Sequence, residues 1–62
     1  MLIRRVERFL RRTGMPWTKF GRLAVRDPRF VGDLRNGRLP GAGLTARVEH
    51  FMNIYQEGND AN

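Results

Sequence analysis

Arginine is the residue type through which this chain can do chemistry. Eleven of its twelve Lys/Arg residues are Arg, and residues 4 to 38 hold eleven of the twelve cations but three of the six acids. A guanidinium stays charged and presents its N–H donors as a planar fork, which fits a phosphate or a guanine edge at two points. The formal net charge is +6 over 62 residues, and the pI is near 11.6. Such a surface on a small domain predicts a polyanionic partner, nucleic acid ahead of anionic membrane.

Catalytic chemistry has no support. The single histidine, His50, projects away from the apolar stripe of its helix, which makes it a solvent-exposed residue rather than a base or ligand. No two acids are spaced to share a proton or hold a metal. The chain has no cysteine, so neither a disulfide framework nor a thiolate site supplements the core. Gly41-Ala42-Gly43 lacks the following Lys-Ser/Thr of a phosphate-cradling nucleotide loop. The expectation is a binding protein with no enzymatic activity, cofactor, metal or small-molecule ligand.

The elements that must position the arginines are helical. Leu2 to Thr13 carries Leu2, Ile3, Val6, Phe9 and Leu10 on one side and Arg4, Arg5, Arg8, Arg11 and Arg12 on the other. Gly14 stops it, and Arg11 and Arg12 suit the negative end of the helix dipole. Its Arg side reads either as a solvated face or as a contact with phosphates flanking a DNA site. Met15-Pro16 opens a second helix to about Val25, with Trp17, Phe20 and Ala24 inward and Thr18, Lys19 and Arg22 outward. Trp17 is expected in the core, with an indole N–H able to reach a phosphate. Gly21, costly inside a helix by up to about 1 kcal/mol, implies that another element passes close.

Asp27-Pro28 is an N-cap signal, since Asp accepts from the free N–H groups and Pro fits the first helical position. The helix it opens runs from Asp27 to Asn36, with Asn36-Gly37 as its stop. Only Val31 and Leu34 sit squarely on one side, with Phe30 on the rim, so the side carrying Arg29, Gly32, Asp33 and Asn36 faces outward. A loop follows over residues 37–43, in which Leu39 is expected to tuck inward. A last helix starts at about Leu44, with Leu44, Val48, Phe51 and Tyr55 on one stripe, and its pattern fades at Gln56. The predicted architecture is all-α, a compact domain of four to five helices over residues 1–57 with a flexible polar tail at 58–62.

From Trp17 to Asn36 the residues resemble the twenty-residue helix–turn–helix unit of the phage-repressor and Cro type, the lambda-repressor-like family. Phe20 and Ala24 match its first-helix apolar positions, and Gly21 its small contact residue. Val31 and Leu34 match its second-helix packing positions. Val31-Gly32-Asp33-Leu34-Arg35-Asn36-Gly37 resembles the end of its recognition helix, and Gly37-Arg38-Leu39-Pro40 the segment that follows. One departure stands out: Val25 and Arg26 occupy places where the family has glycine and then an apolar residue. A turn shifted by one residue gives Val25 the apolar role and points Arg26 to solvent or DNA.

The resemblance implies a second motif helix lying in the major groove, with Pro28, Arg29, Gly32 and Asp33 over base edges. Arg29 is the first choice, because bidentate contact with guanine is worth roughly 1–3 kcal/mol of discrimination. Asp33 either accepts from a cytosine amine or orients Arg29 or Arg35. Phosphate contacts fall to Trp17, Thr18, Lys19, Arg22, Arg26, Arg35, Asn36 and Arg38. The function implied is sequence-specific double-stranded DNA binding by a small transcriptional regulator of phage or mobile-element type. It would act as a homodimer on DNA, through apolar surface at Met1, Leu2, Ile3, Met52, Ile54 and Tyr55, in the cytoplasm at the nucleoid. The alternative is a basic helical adaptor for an acidic protein partner. A membrane-active helix ranks third, because no apolar run approaches the ~20 residues of a span and the apolar side of the first helix is needed for the core.

Overall fold

In a computed structural model the chain folds into four helices: α1 (Leu2–Thr13), α2 (Trp17–Val25), α3 (Phe30–Arg35) and α4 (Ala42–Asp60). The structure describes residues 1–60, with side chains through Tyr55, and no strand occurs among the described residues. The all-α architecture expected from periodicity is present.

Helix α1 ends where Gly14 enters the left-handed region at φ 74° and returns its N–H to the Leu10 carbonyl. The Thr13 hydroxyl donates to the Phe9 carbonyl at 2.9 Å and accepts the Met15 N–H at 3.2 Å. That pair of bonds turns the chain so that Met15 enters the core. Val6, Phe9 and Leu10 of α1 meet Phe20 and Ala24 of α2, Phe30, Val31 and Leu34 of α3, and Val48 of α4. Phe9 lies edge-on to Phe20 at 5.5 Å, and Phe20 edge-on to Phe51 at 5.5 Å. Such pairs contribute about 0.5–1.5 kcal/mol each beyond area burial.

Helix α3 has six residues, far below the length at which a helix persists alone. It is held by tertiary contact: Phe30, Val31 and Leu34 are all buried. Phe30 is a full core residue rather than a rim one, because the Asp27 turn aims the first residue of α3 inward. Asp27 also acts slightly differently from a simple cap. Its carboxylate accepts the Arg29 N–H at 2.9 Å and its carbonyl accepts the Phe30 N–H at 3.1 Å. Asp27-Pro28-Arg29 is therefore a tight turn leading into α3, with Arg29 at the cap. Gly37, at φ 96°, ends the segment.

Two loop expectations are corrected. Leu39 is 83% exposed: Leu34 already fills the space beneath, and Leu39 instead edges a hollow lined by Met1, Leu2, Ile3, Leu34 and Pro40. Helix α4 starts at Ala42 rather than Leu44, since the Gly41 carbonyl accepts the Thr45 N–H at 3.0 Å and begins the helical ladder. Its backbone continues to Asp60, past the end of the apolar pattern at Gln56. The side chains of the polar tail expected at 58–62 lie outside the described residues.

Candidate nucleic-acid interface

The corner between α2 and α3 forms because Gly21 has no side chain. The Asp27 N–H reaches back to the Gly21 carbonyl at 3.0 Å, and Arg26 donates to the Arg22 carbonyl at 3.0 Å. A Cβ at position 21 would overlap the Asp27 carbonyl oxygen and lie 3.2 Å from its carbon. The chain makes this turn with Arg26 at φ 59° and ψ 33°, the only positive-φ residue other than glycine among those described. Val25 is buried and Arg26 exposed. The reversal between α2 and α3 is thus made at Arg26, with Val25 turned into the core beside it.

Around this corner the structure gathers most of the predicted contact residues. Thr18, Lys19, Arg22 and Arg26 are exposed along the outer side of α2, and Pro28 and Arg29 are exposed where α3 begins. Among the described residues no acid lies within ion-pair distance of Lys19, Arg22, Arg26 or Arg29. Asn36 is exposed at the far end of α3. The Arg29 backbone is fixed through Asp27 while its guanidinium stays exposed, an arrangement suited to presenting a bidentate donor.

Several predicted residues are committed elsewhere. Asp33 neither orients Arg29 nor meets Arg35; it accepts from Arg38 at 3.0 Å. Arg38 also lies 3.9 Å from Asp27, so one guanidinium ties the loop after α3 to both acids of the α3 segment. Arg35 donates to both oxygens of Glu7, at 2.7 and 2.9 Å. Its hydrogen bonds hold the Glu7 carboxyl below the ordinary carboxylate range, aided by the nearby charges of Arg35 and Arg11 and opposed by desolvation. The same bonds to Glu7 push the Arg35 guanidinium up.

Trp17 is the largest correction. It is 39% exposed rather than core. Helix α3 has a glycine where the indole arrives: a Cβ at Gly32 would lie 3.2 Å from Trp17 Cζ3. The Arg35 guanidinium, from the same helix, lies 5.6 Å from the ring centre. Trp17 therefore covers Gly32, which is half-buried and leaves base contact at that position to its neighbours. Sequence reasoning also missed Glu7, though it is the sole acid in α1 and an acid among arginines has to find one of them. Leu23, 51% exposed between Arg22 and Arg26, had no distinguishing signal.

The chain matches no protein-family model, no curated protein and no solved structure. No helix among the described residues is long and apolar enough to cross a membrane. No group of His, Asp and Glu side chains among them is placed to hold a metal ion.

Proposed function

We propose that this protein is a sequence-specific double-stranded DNA-binding protein of the lambda-repressor-like helix–turn–helix kind, acting as a small transcriptional regulator. The observation carrying this reading is the exposed cationic corner formed by Lys19, Arg22, Arg26 and Arg29, which no acid among the described residues pairs. Phosphates take Lys19, Arg22, Arg26 and Asn36, with Thr18 beside them, and fix register without reading sequence. Arg29 reads a guanine through O6 and N7, and Pro28 offers apolar contact to a thymine methyl. Arg38, held between Asp33 and Asp27, would meet the DNA backbone only by giving up those acids, so it and Asp33 rank behind the open corner. A single module has a small footprint, so binding as a two-fold pair belongs to the same proposal. Leu2, Ile3, Met52 and Tyr55 pack against the core. Apart from Trp17 and Leu23 at the corner, the large apolar residues left exposed among those described are Met1, Leu39 and Ile54.

The test is selection of bound duplexes from a random pool, followed by titration of the selected site in rising salt. A defined sequence should emerge, and log K should fall by about 0.9 per phosphate contact. Arg29→Ala should weaken the selected site by roughly 1–3 kcal/mol while barely changing random duplex. A pool that stays random after selection would remove sequence-specific recognition, and equal losses on both duplexes would remove Arg29 from base readout.

A further inference from the structure

The interface at the α2–α3 corner leaves the arginines of α1 unexplained. Arg4, Arg8 and Arg11 are exposed and recur at a spacing that stacks them on one side of the helix. Between and below them lies a hollow of about 260 Å³ lined by Ile3, Arg4, Glu7, Arg8 and Arg11. The one acid there, Glu7, gives both carboxylate oxygens to Arg35, and Arg5 is paired with Glu49. Like charges at such spacing destabilise a helix, and within α1 only Glu7, which already gives its oxygens to Arg35, offsets the stripe.

The paired Glu7 and Arg35 separate the stripe from the α2–α3 corner. Helices α1 and α2 face each other through Phe9 and Phe20, whose rings meet edge-on at 5.5 Å. At about 100° per residue, Arg11 and Arg22 each lie roughly 160° round their helices from those rings. Arg11 and Arg22 therefore point away from each other across a body measuring 35 × 21 × 20 Å, while Arg8 and Lys19, about 100° from the rings, flank them. A membrane does not suit the stripe, because the apolar side of α1 that would insert, Val6, Phe9 and Leu10, is buried in the core. Duplex DNA does suit it. Arg4 to Arg11 spans about 10 Å along the helix, and a duplex offers a negative charge every ~1.7 Å of its axis.

We propose that Arg4, Arg8 and Arg11 form a second polyanion-binding surface, so that one molecule holds two DNA duplexes at once, one on α2–α3 and one on α1. This rests on the DNA-binding reading above. The experiment uses a bead-tethered duplex, the full chain in limiting amount, and capture of a second, fluorescent duplex. Two double variants are compared, Arg8→Gln/Arg11→Gln and Lys19→Gln/Arg22→Gln, each checked for helical content by circular dichroism. Gln keeps helix propensity close to that of Arg, so the fold should survive.

Wild type should capture the second duplex. The α1 variant should retain binding to one duplex and lose about tenfold in capture, as removal of two phosphate contacts implies. The α2 variant should keep only the α1 contact, binding one duplex more weakly and capturing no second. Wild type that binds one duplex and captures no second overturns the bridging proposal and leaves the DNA-binding reading standing. Capture undiminished in the α1 variant also overturns it, assigning any bridging to paired proteins. Wild type that binds no duplex but is retained on polyglutamate through Arg8 and Arg11 overturns both and makes α1 a surface for acidic protein.

Discussion

Arg26 should oppose stability and DNA binding to each other. It occupies the left-handed region at φ 59°, which costs a residue with a side chain about 1–2 kcal/mol. It stays there because Asp27 must fold back onto the Gly21 carbonyl. Arg26→Gly removes that cost but gives the unfolded chain extra freedom worth about 0.4–1 kcal/mol, leaving a net stabilisation near 1 kcal/mol. For a domain of this size that corresponds to a rise in melting temperature of roughly 4–8 °C. Arg26→Ala keeps the strained turn, so its stability should lie within about 0.5 kcal/mol of wild type.

On DNA the two variants should behave alike. Both remove the guanidinium, so both should weaken binding on every sequence and lower the salt slope by about 0.9. Thermal unfolding followed at 222 nm, with filter-binding titrations at several salt concentrations, reads both effects. A Gly variant melting no higher than the Ala variant would refute the assignment of strain to this turn. An unchanged slope in both would take Arg26 out of the phosphate contacts.

Gly21 and Gly32 should respond oppositely to alanine. Gly21→Ala drives a methyl into the Asp27 carbonyl, a backbone atom that cannot yield, and should cost about 3 kcal/mol or prevent folding; an urea midpoint near wild type would contradict it. Gly32→Ala meets only the rim of the Trp17 ring, a half-exposed side chain free to shift. It should gain up to about 1 kcal/mol from helix propensity and move the emission of the single tryptophan; loss of stability would show the indole to be fixed. Glu7→Gln should cost about 0.2–1 kcal/mol at neutral pH, the range of an exposed pair. The folded Glu7 pKa is depressed, so its contribution is complete above the ordinary value of 4.5 and lost as pH falls through the lower folded value. The variant's acid unfolding should lack that component, and identical acid limbs would remove Glu7 from the account.

Helices α1, α2 and α4 were legible because their apolar repeats fix a period, whereas six-residue α3 was legible from the signals that flank it, Asp27-Pro28 and Asn36-Gly37, and so was drawn too long. Gly21 was legible too: a glycine inside a helix announces a close neighbour. Trp17 was not. Its apolar bulk fits a core position on any helical wheel, and its exposure follows from Gly32, fifteen residues along the chain, offering a flat place beside Arg35. The partners of Arg35 and Asp33 were likewise invisible, since Glu7 is 28 positions from Arg35 and a charge pattern alone does not say which oppositely charged residue folding brings near. Leu39 was misjudged because the loop was given an inward space that Leu34 already fills.

The acids explain where the cations point. Glu7, Asp27, Asp33 and Glu49, the acids with described side chains, each meet an arginine. Pairs this exposed add little stability. Their larger effect is selective: Arg5, Arg35 and Arg38 are drawn to helix and loop seams, and those seams separate the surface into two basic fields. One field is the corner of Lys19, Arg22, Arg26 and Arg29, and the other is the α1 stripe of Arg4, Arg8 and Arg11. Arg5 and Arg35, each held by an acid of another helix, stay out of both fields. Few acids, placed at the junctions between helices, thus give a small arginine-rich domain distinct faces, and distinct faces are what register on DNA requires.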